Sequence, residues 1–465
     1  MKNFQQIATL ILFPVLSALG ISQTVKQVVV FSNAHTSANP VGSPAQGRNG
    51  KLYVAASGFG RSINTNGKVL GISTSGVVAA LHTFTGTDGA TPAGLILGTD
   101  GNYYGAAYGG GTGHGLLFKI TANGAYTVLY QFTGGSDGGG PSVAPIQASD
   151  GNLYGTTAPA TANDGTVYGY VPSSGAFSTI LSLNLDGSQG QQITAPVLQA
   201  SDGNLYGTAE LGGANGCGTI FKLTTSGTLL QLYSFPCGAG GSIPYGPLIE
   251  ATDGNFYGTT QWGGTVANGE CQSGCGAVFK MSHGEVSILY RFSGKPDGGL
   301  ALAGLVQGTD GNLYGATYKG GINDLGTLYQ ISSSGQYKLL YSFVGEVGYG
   351  AVTALTQDTN GKFYGNAGSG GRYGEGSLYS LDMGFGPFIA LVRYTGRIGQ
   401  PVQILGQGLT GSTAVTVSGV AATSFKVVSD TYMTAVVPTG ATTGPVVVTT
   451  PTGTLTSNHN FRIVQ

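Results

Sequence analysis

The sequence predicts an all-β protein: a seven-bladed β-propeller closed by an N-terminal strand, followed by a small β-sandwich. Three observations predict it. A phrase that reads Asp-Gly-Asn-Leu-Tyr-Gly in its clearest copies recurs with variations, its tyrosines falling at Tyr53, Tyr104, Tyr154, Tyr206, Tyr257, Tyr314 and Tyr364, in steps of 51, 50, 52, 51, 57 and 50 residues. A fixed period of about fifty residues in β-type sequence marks a propeller blade. Glycine supplies 84 of 465 residues without an every-third-residue rule, and 41% of the chain is hydrophobic, which excludes collagen-like and disordered chains. Beyond Gly386 the period stops, and short alternating strands take over.

Taken in order, the chain opens with Met1-Lys2-Asn3, an apolar run from Ile7 to Leu19 and small residues up to Ser22. This reads as a signal peptide over residues 1–22. The run is short for a membrane span and Pro14 interrupts it. The mature chain is therefore expected outside the cytoplasm, in the periplasm, at the cell surface or secreted, with no membrane span. A net charge of −1 and the lack of a basic run argue against a nucleic-acid partner.

The propeller is expected over residues 24–385. One unit reads as Ala195–Ala200, a turn at Ser201-Asp-Gly-Asn204, Leu205–Ala209, a glycine-rich loop, Gly218–Leu223, a turn at Thr225-Ser-Gly227, and Leu229–Phe235. Asp-Gly between apolar runs is a hairpin signal, because glycine reaches positive φ without steric conflict. A calcium loop would need more oxygen ligands close by, so the turn reading prevails over a metal. The fourth strand ends on Phe84, Phe132, Leu183, Phe235, Phe292 and Phe343. A seventh such end, Phe31, stands alone before the first unit, while the last unit has only three strands. An N-terminal strand that completes the last blade closes the ring and removes its open edges.

Four antiparallel strands put the short Asp-Gly-Asn and Ser-Gly turns on one side of the disc. The longer loops fall on the other, and variable loops on a rigid scaffold are where binding concentrates. The candidates there are Tyr108, His114, Trp262, Tyr318, Lys319, Arg372 and Tyr373. Aromatic residues on one side suit sugar rings or another protein, so an extracellular polysaccharide or a cell-surface protein is the expected partner.

Four cysteines in an exported chain point to disulfides. Cys217 precedes the third strand of its unit and Cys237 follows the fourth, so a hairpin sets them side by side. Cys271 lies in the one extended repeat and closes a small ring with Cys275, which gives the expected pairs Cys217–Cys237 and Cys271–Cys275.

Residues 386–465 carry Gln400–Leu409, Thr413–Val420, Phe425–Val437 and Gly444–Thr450, a strand pattern for an immunoglobulin-like sandwich. Ile404-Leu-Gly-Gln-Gly-Leu409 and Ser429-Asp-Thr-Tyr-Met-Thr-Ala-Val-Val-Pro438 resemble the IPT/TIG family. The repeat portion, through Gly-Thr-Ile-Phe-Lys, Leu-Tyr-Ser-Phe and Asp-Gly-Asn-Leu-Tyr-Gly in fixed order, resembles the exported bacterial GloVer-type tandem-repeat proteins of the choice-of-anchor group. That resemblance implies an extracellular protein and no particular chemistry. The outer copies depart from it with Asn49 and Asn360 in place of aspartate.

Catalytic signals are sparse, and no catalytic residue, metal or cofactor is expected. His35, His82, His114, His283 and His459 show no metal spacing, which disfavours a copper-radical oxidase. Asp137 and Asp297, in similar Asp-Gly-Gly contexts, form the one acid pair worth testing for a glycoside hydrolase or lyase. The expected function is a non-catalytic binding or scaffold protein; the alternative is a carbohydrate-active enzyme on the same loop side.

Overall fold

In the computed structural model, residues 23–32, 36–58, 66–160, 163–264, 271 and 273–464 are described. The expected signal peptide, His35 and Gln465 lie outside them. The chain is all-β, its one helical element among the described residues being a 3-10 turn at Gly238–Gly240. Seven four-stranded antiparallel sheets lie between Thr24 and Asp382, and two more between Ala390 and Thr456. The fourth sheet is typical: Leu198–Gln199, Leu205–Ala209, Thr219–Leu223 and Leu229–Ser234, in chain order.

The seventh sheet takes its fourth strand, Thr24–Val30, from the start of the chain, paired antiparallel to Ser377–Asp382. Phe31 then occupies the place that Phe84, Phe132 and the others hold elsewhere. Its N–H donates to Gly376 O at 2.9 Å, as the Phe235 N–H does to Gly218 O at 3.0 Å, and all the large apolar strand ends are buried.

The repeated phrase is a local hydrogen-bonded device. In the second sheet the Asp100 carboxylate accepts the Asn102 N–H at 3.0 Å and the Tyr104 hydroxyl at 2.9 Å. Gly101 completes the turn at φ 88°, a conformation glycine reaches without penalty. Asp150, Asp202, Asp253 and Asp310 each accept their own tyrosine hydroxyl in the same way. Burial pushes the Tyr154 phenol up to about 12, and its bond to Asp150 adds to the shift. Burial alone would raise the Asp202 carboxyl, but Lys222, Asn204 and Tyr206 hold it well below the usual range. The outer copies reverse the polarity of the bond: Asn49 and Asn360 donate to Tyr53 and Tyr364 at 2.9 and 3.0 Å. Asparagine thus keeps the turn, and the phrase needs no ligand to explain it.

Its last glycine has a packing cause. Gly207 pairs across the sheet with Phe221, and a Cβ there would sit 2.4 Å from the ring's Cζ. Gly105, Gly155, Gly258, Gly315 and Gly365 likewise lie beneath Phe118, Tyr168, Phe279, Tyr329 and Tyr379. The first sheet changes both partners, pairing Val54 with Leu70, both buried.

The sequence predicts a first strand over Ala195–Ala200, but only Leu198–Gln199 pairs. Pro196 has no N–H to give, and the Ala195 carbonyl instead accepts the Thr156 hydroxyl of the preceding sheet at 3.1 Å. The inner strand therefore divides its bonding between two sheets. Further along, Gln147, Gln199, Gln307 and Gln357 each accept a backbone N–H from the sheet before, at 2.9, 2.7, 2.9 and 3.1 Å. Glu250 plays the same part for Ser201. Gln46 accepts the Thr359 N–H at 3.2 Å and so ties the seventh sheet to the first. Leu97 cannot, and there Arg48 donates to Thr99 O at 2.6 Å instead.

The last two sheets enclose a separate core that includes Ile389, Val402, Ile404, Val417, Met433, Val446, Val448 and Phe461. They rest against the turn side of the repeats. Thr431 Oγ1 donates to Arg48 O at 2.7 Å, and the Arg48 guanidinium lies 4.4 Å from the Tyr432 ring centre. Arg393 donates to Ser149 O at 3.2 Å and Gln407 to Thr359 Oγ1 at 3.1 Å. The side that the sequence presents as plain is thus the side the C-terminal segment covers.

Candidate functional site

Antiparallel order leaves the loop after each second strand and the connection to the next sheet at the end opposite the Asp-Gly-Asn turns. Short backbone bridges lock the two together: Ser242 to Trp262, Gly299 to Lys319 and Gly139 to Ala158. A cleft between neighbouring sheets is then walled by a loop on either side and floored by the connection.

Among the described residues, two such clefts contain candidate residues. Between the fifth and sixth sheets, a cleft of about 430 Å³ brings together Trp262, Lys295, Lys319 and Asp324, with Cys271 in its wall. Cys271 is bonded to Cys275, and Cys217 to Cys237, so all four cysteines are paired. The small ring lies against the connection, where the Cys275 carbonyl accepts the Leu300 N–H at 2.8 Å. Between the second and third sheets, a cleft of about 490 Å³ holds Tyr108, His114 and Pro159. The Tyr108 ring lies over Gly140 and the His114 ring over Gly134, where a Cβ would fall 2.9 and 2.4 Å from ring atoms. These glycines make the seats for the two rings.

The seven candidates therefore do not form one surface site. Tyr318 lies over Gly350 at the next junction, and Arg372 sits 5.8 Å from the Tyr373 ring on an exposed loop of the seventh sheet. Sequence reasoning missed Lys295 and Asp324. Neither belongs to the repeated phrase, and only the folding of the connection between Phe292 and Leu300 brings Lys295 to Trp262. It also missed a polar cleft of about 420 Å³ between the turn side and the C-terminal segment, lined by Gln307, Thr309, Phe388, Thr456 and Ser457.

The expected acid pair has structural duties in this fold. Asp137 accepts from the Thr133 N–H, the Thr133 hydroxyl and the Tyr130 hydroxyl at 2.9, 2.5 and 3.0 Å. Asp297 accepts from the Ser293 N–H, its hydroxyl and the Tyr290 hydroxyl at 3.0, 2.8 and 2.5 Å. Burial works to raise Asp137, but these donors to its carboxylate hold it below the usual range, which does not suit a proton donor. Each carboxylate braces the connection of its own sheet. Glu210, at the loop end of the fourth sheet, behaves differently. Burial pushes its carboxyl up, the Thr194 hydroxyl that it accepts draws it part-way back, and the titratable group beside it is Tyr245.

A model of the Gloeobacter/Verrucomicrobia repeat matches residues 16–183, 107–273 and 265–410. The chain belongs to this repeat family. No curated protein matches it. Among solved structures, this repeat protein resembles a fungal alcohol oxidase of the AA5 family in complex with copper, at 14% identity and TM-score 0.52, over 95% of this chain and 99% of that one. It also resembles the extracellular domains assigned to two hybrid two-component systems of B. thetaiotaomicron. One matches at 12% identity and TM-score 0.52, over 93% of this chain and 57% of that one. The other matches at 13% and 0.50, over 84% and 45%. At such identities the likeness is one of fold, propeller-like and all-β.

The described residues do not fit a copper site. His82 donates to the Asp88 carboxylate at 3.0 Å and stacks on Tyr126, His283 borders Ser282 in a tight turn, and half-buried His459 packs against Tyr394. Among the described residues, no three His, Cys, Asp or Glu side chains are grouped as metal ligands. No helix among them is long and apolar enough to cross a membrane. The two disulfides point to an oxidising, extracytoplasmic setting.

Proposed function

We propose that this protein is an exported, non-catalytic binding or scaffold protein that presents its loop side to a carbohydrate or protein partner. In this reading the seven sheets are the blades of one propeller over residues 24–385. The strand Thr24–Val30 in the seventh sheet and the Gln46–Thr359 bond support a closed ring. Residues 386–465 form an IPT/TIG-like, immunoglobulin-like sandwich, a reading supported by two sheets around one core. Residues 1–22 act as a signal peptide, and membership of the choice-of-anchor group belongs to the same proposal.

The observation that carries the binding role is the cleft between the fifth and sixth sheets. Its wall holds the chain's one tryptophan, partly exposed, beside charged side chains and a disulfide that closes only a short ring. A rigid concave site with an aromatic wall and a few polar groups is the usual form of a ligand site. The turn side, by contrast, is engaged by the C-terminal segment.

The test is to incubate the protein with a panel of polysaccharides and with cell-surface extracts. Retention without released product is expected, and release of oligosaccharides would instead support a glycoside hydrolase or lyase. Trp262→Ala is expected to weaken the retained interaction at least about tenfold, about 1.4 kcal/mol, with an unchanged unfolding midpoint. Undiminished binding by that variant would remove the cleft from the reading.

A further inference from the structure

As the chain enters each of the seven sheets, one residue at the equivalent place takes a left-handed conformation. Asn39, Thr91, Gln192, Ile243 and Leu300 do so at φ 54–64°, and Gly140 and Gly350 at φ 57° and 71°. The N–H that follows the second strand of the same sheet donates to this residue's carbonyl. Ser57 donates to Asn39 at 3.0 Å, Glu210 to Gln192 at 3.1 Å, Ala158 to Gly140 at 3.3 Å and Gly368 to Gly350 at 3.4 Å. Glycine takes that conformation without penalty, whereas β-branched residues such as Thr91 and Ile243 are strained in it. Five sheets nonetheless carry a side chain there, so the backbone alone does not require glycine.

What sets the two glycines apart is the ring above each of them. Tyr108, which follows the second strand of the second sheet, reaches over Gly140 of the third, and Tyr318 of the sixth reaches over Gly350 of the seventh. At the other five junctions the residue in this place is Ser57, Ala158, Glu210, Gln261 or Gly368, and none is aromatic. Tyrosine and glycine therefore occur together, at two junctions of the seven.

The geometry gives the reason. A Cβ on Gly140 would fall 2.9 Å from Tyr108 Cε2, and one on Gly350 would fall 3.1 Å from Tyr318 Cε2. A side chain such as Gln192 or Leu300 would push either ring off its place. With glycine beneath, each ring rests on backbone, yet Tyr108 stays 51% exposed and Tyr318 38% exposed. A ring supported from below and open above is a rigid platform. In the closed ring proposed above, the two junctions lie three apart one way round and four the other, on opposite flanks of the loop side.

Such a face suits a pyranose ring. The aromatic quadrupole makes the face negative, and a sugar whose hydroxyls are mostly equatorial presents polarised C–H bonds to it. Beside Tyr108 the cleft of about 490 Å³ falls within the range of small-ligand sites, roughly 300–1,000 Å³. Gly113, Gly134 and Gly139 line it with backbone, which offers hydrogen bonds to hydroxyls.

We propose that Tyr108 and Tyr318 are two stacking platforms for one linear polysaccharide of flat pyranose rings, laid across the loop side. The proposal rests on the loop-side binding role given above and adds two contact points outside the Trp262 cleft.

The test is affinity electrophoresis of the full chain in gels that contain hydroxyethylcellulose, xylan or glucomannan. Polyvinyl alcohol serves as a hydroxylated polymer without rings. Retardation by at least one polysaccharide is expected, and its disaccharide should compete poorly because it cannot reach both platforms. Tyr108→Ala and Tyr318→Ala should each weaken retardation at least about fivefold and together nearly abolish it. The unfolding midpoint should stay close to that of the wild type, because both rings are exposed. Tyr108→Phe and Tyr318→Phe should bind like the wild type. Gly140→Gln with Gly350→Leu, which introduces side chains that the fourth and sixth sheets already carry there, should weaken binding at least about fivefold with both tyrosines present. The tyrosine variants keep the test decisive if this double variant does not fold. Equal retardation by polyvinyl alcohol, undiminished binding by the double alanine variant or loss in the phenylalanine variants would overturn the proposal. If Trp262→Ala abolishes retardation and the double alanine variant does not, the platforms fall while the loop-side binding role stands. If no polysaccharide retards the protein, the platforms fall as well, and the broader role is judged separately by whether Trp262→Ala weakens capture of a surface protein.

Discussion

Gly207→Val is expected to destabilise the protein by about 1–3 kcal/mol or more, and Phe221→Leu is expected to restore most of that loss. The glycine lies in a regular strand, so backbone strain plays no part. The cause is the Phe221 ring, whose Cζ would lie 2.4 Å from a new Cβ. The first sheet shows how the conflict is relieved, with Val54 facing Leu70 at the equivalent pair. Phe221→Leu alone should also destabilise, by about 1–2 kcal/mol, because the ring's volume is then unfilled. The two changes together should approach the wild type, a coupling of at least about 2 kcal/mol between contacting residues. Urea unfolding of the four proteins measures it. Additive losses would show that the motif's glycine is there for another reason.

Asp358→Ala is expected to stabilise the protein at neutral pH. Asp358 is fully buried; one carboxylate oxygen accepts the Asn360 N–H at 2.9 Å and the other has no partner. Burial pushes the carboxyl up to about 6, and the Asn360 N–H pulls it only part-way back. The folded-state value lies above the unfolded one of 3.8, so the native state binds this proton more tightly. The ionised group therefore opposes folding, with no effect below about pH 4, a growing one up to about pH 6 and a full one above. A gap of about two pH units, at about 1.36 kcal/mol each, gives a penalty on the order of 3 kcal/mol. The lost acceptor for Asn360 returns about 1 kcal/mol of that, so a net gain of about 2 kcal/mol is expected at pH 7.5. The third, fourth and fifth sheets already carry alanine here, at Ala148, Ala200 and Ala251. Unfolding at pH 4 and at pH 7.5 decides the matter, and a gain of equal size at both values would refute the charge argument.

Each prediction draws on a repeat that departs from the others, the first sheet at Val54 and Leu70 and the seventh at Asp358, and the repeats themselves are readable without a structure. The Asp-Gly-Asn-x-Tyr phrase closes its hydrogen bonds within four residues, so its pattern survives in the letters. The same holds for Phe31, whose likeness to Phe84 and Phe235 marks Thr24–Val30 as a displaced fourth strand. The short first strands were not readable in this way. Ala195 looks like the start of a strand, yet its carbonyl bonds to Thr156 of another sheet, a partner 39 positions away. The docking of the C-terminal segment is less local still, since Thr431 and Arg48 are 383 positions apart.

For the candidate site, residue type found the right side but not the right groupings. Trp262 and Lys319 were chosen as loop residues, and they share a cleft only because the connection of residues 293–299 folds between their loops. Asp137 and Asp297 show the converse, since the same Asp-Gly-Gly context that suggested an acid pair is a turn device repeated in two sheets. Amino-acid order alone sets the period, the strand register and the neighbours of each cysteine, because these follow from side-chain chemistry acting over a few residues. Which loops converge on one cleft, and which side of the repeats lies beneath the C-terminal sheets, was decided by tertiary structure. Those outcomes depend on distances between sheets, and no spacing along the chain encodes them.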